Sequence, residues 1–431
     1  MRLLIIGAGP GGYETAVEAV KRGMEVTLIT EGPLGGTCLN EGCIPTKTFC
    51  HYAELIEQNL KAGLDCKPTF AAAAERKQVV VEQLRGGINM LLKGVEVVQG
   101  KAQFKDVKTV LCNGTEYTAD KIIIATGSVS ASLPVPGAES CITSKEILEL
   151  TEVPQSLCVI GGGVIGLEFA SIFRSFGSEV TVLEFCPNIL PRFDSDLAKR
   201  LKQSLSKRGI NIEVQAQVTR IDGDTVTYIK KDKEYTVQAE KVLMAVGRRP
   251  NTEGLHLEAA GIDYTRKGIT VNDRFETSVP GIYAVGDVTG GIMLAHAATY
   301  QGIHALNAIC GKTDSIRFDL IPAAVFTMPE VAMVGLTEEQ CKEQELETRC
   351  LKSFYRANGK AVSMDETDGY CKVIVGSDGA ILGAHIMGAH ASDLIHEITA
   401  AMNIGATLEH MQDVIHAHPT LSEVLQSALK T

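Results

Sequence analysis

The sequence predicts an α/β protein made of two similar nucleotide-binding units and a C-terminal α+β domain. Its length supports this, because 431 residues correspond to about three domains at roughly 150 residues each. Glycine is abundant, with 42 residues, and one glycine-rich segment is repeated within the chain. The repeated glycines have the same spacing in both copies: Gly7, Gly9 and Gly12, then Gly161, Gly163 and Gly166.

The composition is that of a globular protein. Apolar residues make up 45% and charged residues 22% of the chain, and no apolar run approaches the roughly 20 residues that a membrane helix needs. The net charge of −11 repels phosphate backbones and anionic lipid, so we expect neither a nucleic-acid nor a membrane partner. Twelve cysteines without a secretory signal favour a cytoplasmic protein in which most thiols act as small buried hydrophobes.

Each glycine segment follows a short apolar strand and precedes a helix and a second strand. The strands are residues 3–6 and 24–30 in the first copy, and residues 157–160 and 180–183 in the second. Glycines at such a turn let main-chain N–H groups and the helix N-terminus approach a pyrophosphate. The two copies therefore predict two Rossmann-like dinucleotide-binding domains, for which a tight turn without a ligand is the alternative.

An acid at the end of the second strand of such a unit binds the ribose hydroxyls. Glu184 occupies this place in the second copy. Because its carboxylate would repel a 2′-phosphate, we expect NAD rather than NADP. In the first copy the equivalent place holds Thr30, and Glu31 follows one residue later. Either Glu31 reaches back to the ribose or the ribose is held differently.

One cysteine pair, Cys38 and Cys43, stands apart from the others because of its surroundings in residues 35–47. On a regular helix the pair would be separated by about 7.5 Å of rise, whereas a disulfide needs Cα atoms within about 7 Å. Gly42 and Pro45 favour an irregular turn that would let the pair close. The spacing alone could also be accidental. We expect no metal, because no second close cysteine pair or matched histidine pair accompanies this one.

Residues 35–47 resemble the redox-active disulfide signature of the class I flavoprotein disulfide reductases and are most similar to that of the dihydrolipoamide dehydrogenases. The resemblance covers essentially the whole chain. The cysteine signature and the C-terminal segment are its most specific parts, and the glycine loops support them. The other segments that carry it are residues 125–128, 246–251, 284–288, 293–296 and 416–423.

The resemblance implies an FAD-binding part, an NAD-binding domain and a C-terminal α+β dimerisation domain, with FAD and NAD as cofactors. Residues 1–145 and 267–318 would form the first, residues 146–266 the second and residues 319–431 the third. The residues implied at the cofactors are Gly7, Gly9, Gly12, Glu31, Thr37, Lys47, Ala102, Gly127, Asp287, Ala295, Gly161, Gly163, Gly166, Glu168, Glu184, Val218 and Gly247.

The resemblance also implies a division of roles at the cysteine pair. Cys43 would be the sulfur beside the flavin, and Cys38 the one that exchanges with the substrate. Lys47 would lie near the flavin ring and pair with Glu168. A lysine there would favour the anionic thiolate by charge proximity.

A histidine and a carboxylate near the C-terminus complete the implied site. His418 would be the acid/base, oriented by Glu423, and both would be contributed by the other subunit of a homodimer. Taken without the cysteines, Thr420 and Glu423 match a capping box at a helix start. Thiol–disulfide exchange needs a base, which favours the histidine–carboxylate interpretation. His416 is the competing histidine, with a packing or surface role as its alternative.

The implied activity is NAD-dependent oxidation of dihydrolipoamide, as the shared dehydrogenase of 2-oxo acid dehydrogenase or glycine cleavage complexes. Its partner would be a lipoyl-bearing protein of such a complex. The alternatives are another NADH-dependent disulfide reductase of the same scaffold and a redox-silent nucleotide-binding subunit. Two positions depart from the family pattern: Glu41 stands where a small apolar residue is usual, and Gln301 replaces a customary acid.

Overall fold

The computed structural model describes residues 1–64 and 68–431. The first part of the chain forms a parallel sheet flanked by helices, and Leu4 and Ile5 at its centre are at most 1% exposed. Such strands are buried on both faces, as their continuous apolar runs predict. The elements of this part are β1 (Arg2–Ile6), α1 (Pro10–Lys21), β2 (Glu25–Thr30), α2 (Gly36–Glu41), α3 (Cys43–Lys61), α4 (Phe70–Leu91), β3 (Val95–Gln99), β4 (Ala102–Phe104), β5 (Thr109–Cys112), β6 (Thr115–Thr118), β7 (Lys121–Ile124) and β8 (Ser128–Ser130).

The middle of the chain repeats the strand–turn–helix–strand unit and adds an antiparallel three-stranded sheet. The parallel strands have the order β11-β10-β9-β15, and the added sheet has the order β12-β13-β14. The elements of this part are β9 (Ser156–Ile160), α5 (Val164–Phe176), β10 (Glu179–Glu184), α6 (Ser195–Lys207), β11 (Ile210–Val214), β12 (Gln217–Asp222), β13 (Thr225–Lys230), β14 (Lys233–Gln238), β15 (Lys241–Met244) and β16 (Arg248–Pro250).

After the second unit the chain returns to the first sheet. A short strand, β19, pairs in parallel with β7 and completes the order β19-β7-β1-β2-β3. The helix that follows, α7, packs against α1 of the first unit. The elements of this segment are β17 (Tyr264–Thr265), β18 (Gly268–Ile269), β19 (Ile282–Ala284) and α7 (Ala295–Ile309).

The C-terminal part is an antiparallel sheet covered by helices, with the order β20-β21-β24-β23-β22. Its central strands are almost wholly buried, and α10 and α12 pack on them. The predicted α/β class with a C-terminal α+β domain is confirmed. The elements are β20 (Ala323–Val325), β21 (Val331–Gly335), α8 (Glu338–Glu343), β22 (Thr348–Phe354), α9 (Gly359–Ser363), β23 (Tyr370–Gly376), β24 (Ile381–Met387), α10 (Ala391–Asn403), α11 (Leu408–Gln412) and α12 (Glu423–Leu429).

Packing between the two units positions the site. Helix α3, which begins at Cys43, lies against α5, which begins directly after the second glycine loop. Residues of both loops therefore face one region between the units. Across residues 1–64 and 68–431, we find no helix with the length and apolar character of a membrane span.

Candidate active site

The first glycine of each loop allows a close backbone approach that no other residue would. Gly7 and Gly161 have φ of +107° and +112°. A Cβ at Gly7 would lie 2.3 Å from the carbonyl oxygen of Ala125, and one at Gly161 would lie 2.4 Å from that of Ala245. The two loops thus repeat the same strained geometry, which only glycine adopts without cost.

The middle glycines face open space. Nothing lies within 4 Å of a Cβ built on Gly9 or Gly163, and these two residues are the N-caps of α1 and α5. Exposed N–H groups at a helix N-terminus, with no side chain in front of them, form an anion-binding site. Both loops therefore fit the pyrophosphate of a dinucleotide.

The last glycines of the loops lie behind this surface. A Cβ at Gly12 would lie 1.8 Å from the oxygen of Gly7, and one at Gly166 would lie 2.1 Å from the oxygen of Gly161. These glycines let each helix pack tightly on its own loop, as the fingerprint requires. Their contribution to a nucleotide site is to position the loop rather than to touch the ligand.

The acids at the two strand ends are held differently. Glu184 is only 7% exposed, and its two carboxylate oxygens accept the N–H groups of Gly162 and Cys186, each at 2.6 Å. In the first unit the Thr30 hydroxyl donates to the oxygen of Gly32 at 3.0 Å, while Glu31 is exposed. Because the Thr30 hydroxyl already has a partner in the loop, Glu31 is the better candidate for the first ribose.

A single cavity of about 2840 Å³ joins the two loops and the cysteine pair. Gly12 and Gly166 lie behind its wall, and within the described part of the chain His418 and Glu423 do not line it. The predicted site residues that do line it are Gly7, Gly9, Glu31, Thr37, Cys38, Cys43, Lys47, Ala102, Gly127, Asp287, Ala295, Gly161, Gly163, Glu168, Glu184, Val218 and Gly247.

The cysteine pair lies at a break between two helices. Helix α2 ends at Glu41 and α3 begins at Cys43, and between them Gly42 has φ −148° and ψ −112°. This irregular turn is the one that the sequence predicts, and it brings the two thiols into contact. In this arrangement the two thiols share a hydrogen bond.

The two thiols differ in acidity because they share one hydrogen bond. The hydrogen bond from Cys38 lowers the pKa of Cys43 to about 7; Lys47 acts in the same direction, whereas burial and Glu168 oppose it. The same hydrogen bond, followed by burial, raises the pKa of Cys38 above its ordinary value. Cys43 is therefore the sulfur that becomes a thiolate near neutral pH when the pair is reduced.

An ion pair from the second unit lies beside the cysteines. The Lys47 Nζ lies 2.9 Å from both carboxylate oxygens of Glu168 and 4.5 Å from the ring centroid of Phe326. One of those oxygens also accepts the N–H of Phe326 at 3.0 Å. Both oxygens of the buried carboxylate therefore have hydrogen-bond partners, and the ion pair fixes Lys47 in the cavity wall.

The sequence motifs hold two further residues whose contacts were not predicted. The Ser128 hydroxyl donates to Asp287 at 2.5 Å and accepts from Arg248 Nε at 2.7 Å. Gln301 is buried, and its amide oxygen accepts the N–H of Gly286 at 2.7 Å, so the neutral residue at this position still holds the turn before Asp287. Segments 125–128 and 246–251 marked Ser128 and Arg248 as motif residues, but pairing them requires the tertiary structure.

His418 and Glu423 form the pair that the resemblance implies. His418 Nδ1 lies 2.9 Å from one oxygen of Glu423, and the other oxygen accepts the N–H of Thr420 at 2.8 Å. The capping box is not formed, because α12 begins at Glu423 with Ser422 as its N-cap and the Thr420 hydroxyl donates to the oxygen of Ala417 instead. Of the two interpretations of this acid, the structure contains the contact with the histidine. The His418 side chain is 77% exposed, whereas that of His416 is 4% exposed and lies 2.8 Å from Glu397. His416 thus has the packing role.

Two family models match the chain. Residues 1–302 match the Pyridine nucleotide-disulphide oxidoreductase family, and residues 321–429 match the Pyridine nucleotide-disulphide oxidoreductase, dimerisation domain. The second match supports a homodimer.

Curated relatives and solved structures agree with these models. Dihydrolipoyl dehydrogenases of Geobacillus stearothermophilus and Bacillus subtilis (strain 168) are 42% and 43% identical, over 99% of this chain and 94% and 95% of theirs. Among solved structures, LpdA from Mycobacterium tuberculosis has a TM-score of 0.91 at 29% identity, covering 100% of this chain and 99% of its own.

Another similar structure comes from a different flavoprotein. The HOCl-induced flavoprotein disulfide reductase RclA from Escherichia coli has a TM-score of 0.90 at 32% identity, covering 100% of this chain and 99% of its own. The predicted enzyme class and the cofactors FAD and NAD are confirmed by these relationships. The chain belongs to the pyridine nucleotide-disulphide oxidoreductases and, within them, to the dihydrolipoyl dehydrogenase family.

Proposed function

We propose that this protein oxidises dihydrolipoamide to lipoamide through Cys38 and Cys43, with FAD and NAD as cofactors. The observation that carries the proposal is the placement of the cysteine pair, whose thiols are in contact at a helix break that opens into the cavity shared by both nucleotide loops. FAD, which the loop with Gly7 and Gly9 would hold, would supply a two-electron acceptor, and NAD, which the loop with Gly161 and Gly163 would hold, would supply the final acceptor.

The exchange chemistry begins from the oxidised pair. A thiolate of the substrate attacks the sulfur of Cys38, the Cys38–Cys43 bond breaks, and its electron pair remains on Cys43 as a thiolate. The second substrate thiol, once deprotonated, attacks the mixed disulfide and releases Cys38 as a thiolate, which takes up a proton. The substrate leaves as a cyclic disulfide, and two electrons are held by the cysteine pair.

The family resemblance assigns the attack to Cys38 rather than Cys43, and the direction of the two pKa shifts is in keeping with it. The sulfur with the lower pKa is the better leaving group in thiol–disulfide exchange. The hydrogen bond from Cys38 lowers the pKa of Cys43 to about 7 and raises that of Cys38. Cys43 therefore leaves as the thiolate, in the position next to Lys47 that favours a negative charge.

His418 is the proposed base that forms the substrate thiolate. Its Nδ1 is bonded to Glu423 at 2.9 Å, so Nε2 is the ring atom that can accept the proton. A carboxylate in this position fixes the tautomer and stabilises the protonated ring. Since His418 does not line the cavity that holds Cys38 in the described part of the same chain, we propose that the partner subunit of a homodimer supplies it.

The substrate and the redox pair can be tested directly. Purified protein should be yellow, and anaerobic addition of dihydrolipoamide should reduce NAD catalytically. Replacing Cys43 with serine should abolish turnover while FAD stays bound, since no disulfide can form. Colourless protein, or yellow protein that is inert to dihydrolipoamide, would contradict the proposal; activity retained by C43S would remove the disulfide from the mechanism.

A second candidate substrate class is another disulfide. The similarity to a flavoprotein disulfide reductase at a TM-score of 0.90 favours it, because the same scaffold serves both activities. An NADH-driven assay with lipoamide, cystine and glutathione disulfide separates the two. Turnover of lipoamide at least tenfold above the other disulfides is expected, and a preference for another disulfide would favour the second candidate.

The partner and the compartment are part of the proposal. We propose a lipoyl-bearing protein of a 2-oxo acid dehydrogenase or glycine cleavage complex, in the cytoplasm. Capture of lipoylated proteins from the cytosolic fraction by the purified enzyme checks both statements; recovery of no lipoylated protein would contradict the first.

A further inference from the structure

The C-terminal domain contacts the second nucleotide-binding unit through helix α6, which packs on β24. The apolar part of this contact is continuous with the core of the unit, since Val331 and Met387 belong to the same buried cluster as Leu201 of α6. Burial of apolar surface keeps the two parts together without any ion pair. The charged groups in the same contact therefore need another explanation.

A buried ion pair lies at the beginning of α6. The Nζ of Lys372, on β23, lies 2.7 Å from Oδ1 of Asp194, and both side chains are 0% exposed. The same Nζ donates to Glu338 of α8 at 3.0 Å. Burial would lower the pKa of Lys372, yet its contacts with these two acids raise it above its ordinary value. Lys372 is therefore a charged group of the C-terminal domain that is held by an acid of the second unit.

Asp194 depends on this lysine more than the other acids do. Within residues 1–64 and 68–431, Lys372 is the one cation that pairs with Asp194. A buried charge that loses its partner is strongly destabilising. The other acids near Lys372 each have a second cation, at 2.8 Å and 3.2 Å: Lys342 for Glu338 and Lys352 for Asp196.

The carboxylate of Asp194 joins this pair to the first turn of α6. Its Oδ1 accepts the N–H groups of Asp196 and Leu197 at 3.1 and 3.4 Å, so Asp194 is the N-cap of the helix. Its Oδ2 accepts the N–H of Glu338 at 3.3 Å. One side chain thus fixes the beginning of α6 to both β23 and α8 of the C-terminal domain.

The residues just before Asp194 reach the second glycine loop. Residues 190–193 line the same cavity as this loop, and the N–H of Leu190 donates to the carbonyl oxygen of Gly162 at 2.9 Å. Leu190 has φ of +47°, a left-handed backbone conformation that a leucine adopts at a cost in free energy. Such a segment keeps its shape only if its surroundings hold it. Here Gly162 holds one end and Asp194 holds the other.

We propose that Lys372 is a positioning residue for the nicotinamide nucleotide: by holding Asp194, it keeps residues 190–193 in place beside the second glycine loop. The C-terminal domain thus contributes to NAD binding from outside the nucleotide-binding unit. The proposal rests on the proposed function, which assigns NAD to this loop.

The test measures NAD affinity and backbone exchange in K372M. FAD-loaded protein is titrated with NAD by calorimetry, and hydrogen–deuterium exchange is followed in the peptides that cover residues 186–197. Because K372M leaves Asp194 buried without a cation, we expect its Kd for NAD to rise about tenfold. Exchange in these peptides should become faster, while exchange in β9 stays as in the wild type. Reduction of FAD by dihydrolipoamide should change by less than about twofold, since it does not use this loop.

A matched control removes another polar contact between α6 and the C-terminal domain. The Ser204 hydroxyl donates to Asp368 at 2.7 Å, at a point roughly 15 Å along the helix from Asp194. S204A should leave the Kd for NAD and the exchange of residues 186–197 unchanged. An unchanged Kd in K372M would overturn the proposal. Equal effects in S204A and K372M would also overturn it, since they would come from docking of the domain in general.

A second variant decides the question if K372M does not fold. D194N/K372M has no unpaired buried charge at this position and keeps an N-cap, because asparagine caps helices as well as aspartate does. It lacks the ionic contact with β23, so its Kd for NAD should rise about threefold, with faster exchange in residues 186–197. A Kd and an exchange rate equal to those of the wild type would overturn the proposal.

These readouts separate the inference from the choice of substrate. Protein that is inert to dihydrolipoamide would contradict the proposed function, yet the NAD affinity and the exchange of K372M would still test the role of Lys372. Active protein in which K372M binds NAD as tightly as the wild type would contradict only the inference.

Discussion

The two glycine-rich loops have the same backbone geometry, but their helices pack against different parts of the protein. Helix α1 of the first loop lies against α7, where a Cβ on Gly302 would be 1.9 Å from the Thr15 hydroxyl. Helix α5 of the second loop lies against α3 and directs Glu168 to Lys47. The helix after the first loop is therefore covered by α7, which is distant in the sequence. The helix after the second loop contributes Glu168 to the cysteine site.

The acids at the two strand ends extend this difference. Glu184 is buried and tied to its own loop through Gly162 and Cys186, while Glu31 is exposed. One local motif thus gives two kinds of site, because the neighbours of each copy are set elsewhere in the chain. A repeated motif predicts the class of ligand. The residues packed around each copy decide how rigidly its acidic side chain is held.

The largest expected effect tests the shared geometry of the loops. Gly12→Ala places a Cβ 1.8 Å from the oxygen of Gly7, so we expect destabilisation of about 3 kcal/mol or more and loss of FAD. Gly9→Ala is the matched control, because that Cβ meets nothing within 4 Å; it should fold and bind FAD more weakly. Thermal unfolding and flavin content measure both. Normal stability in G12A would contradict the geometry.

The next prediction separates the half-reaction with the dithiol substrate from the half-reaction with the nicotinamide nucleotide. His418→Gln should lower dihydrolipoamide oxidation by on the order of 10²–10⁴, the range for loss of a general base. Electron transfer from NADH to ferricyanide should change by less than about twofold, because it requires no dithiol deprotonation. Steady-state assays of both reactions check this.

Mixed subunits provide the control for that prediction. If the partner supplies His418, heterodimers of H418Q and C43S chains should contain one intact site and recover about half of the wild-type rate per dimer. Heterodimers without activity would indicate that each chain uses its own histidine. Glu423→Gln should lower the same rate less than His418→Gln, since it alters only the orientation and basicity of the ring.

The smallest expected effect contrasts the two acids. Glu184→Gln leaves an N–H of Gly162 or Cys186 without its acceptor and removes a ribose-binding charge, so the KM for NAD should rise about tenfold. Glu31→Gln, at an exposed position, should weaken FAD binding by less than about threefold. Kinetics with NAD and flavin titration of the apoprotein measure the two. A larger effect at Glu31 would reverse the comparison.

Local patterns were sufficient for the strands, the glycine loops and the helix break at the cysteine pair. Continuous apolar runs define β1 and β9 because strands buried on both faces leave no polar side, and the glycine spacing fixes the turn that follows each. Gly42 between two cysteines indicates a helix break, which the structure has. Each of these features depends on residues that are close together in the sequence. The local sequence is therefore enough to predict them.

Contacts between distant segments could not be read in the same way. The Lys47–Glu168 pair came from the family resemblance, and the Arg248–Ser128–Asp287 contacts were not predicted. Of the two interpretations of Glu423, the structure contains the contact with His418 but no capping box, since α12 begins at Glu423 itself and the other oxygen accepts only the N–H of Thr420. Sequence spacing does not show how many partners a carboxylate has.

The sequence by itself determined the α/β class and the family, and it predicted two dinucleotide loops and a reactive cysteine pair, because these depend on short-range patterns and on the resemblance of short motifs. Only the tertiary structure decided which charged side chains meet in the wall of the cavity. It paired Lys47 with an acid from the second unit and joined Arg248 to Asp287 through the hydroxyl of Ser128. That arrangement depends on how α3, α5 and β16 pack, since electrostatic interaction is set by distance in space and not by separation along the chain.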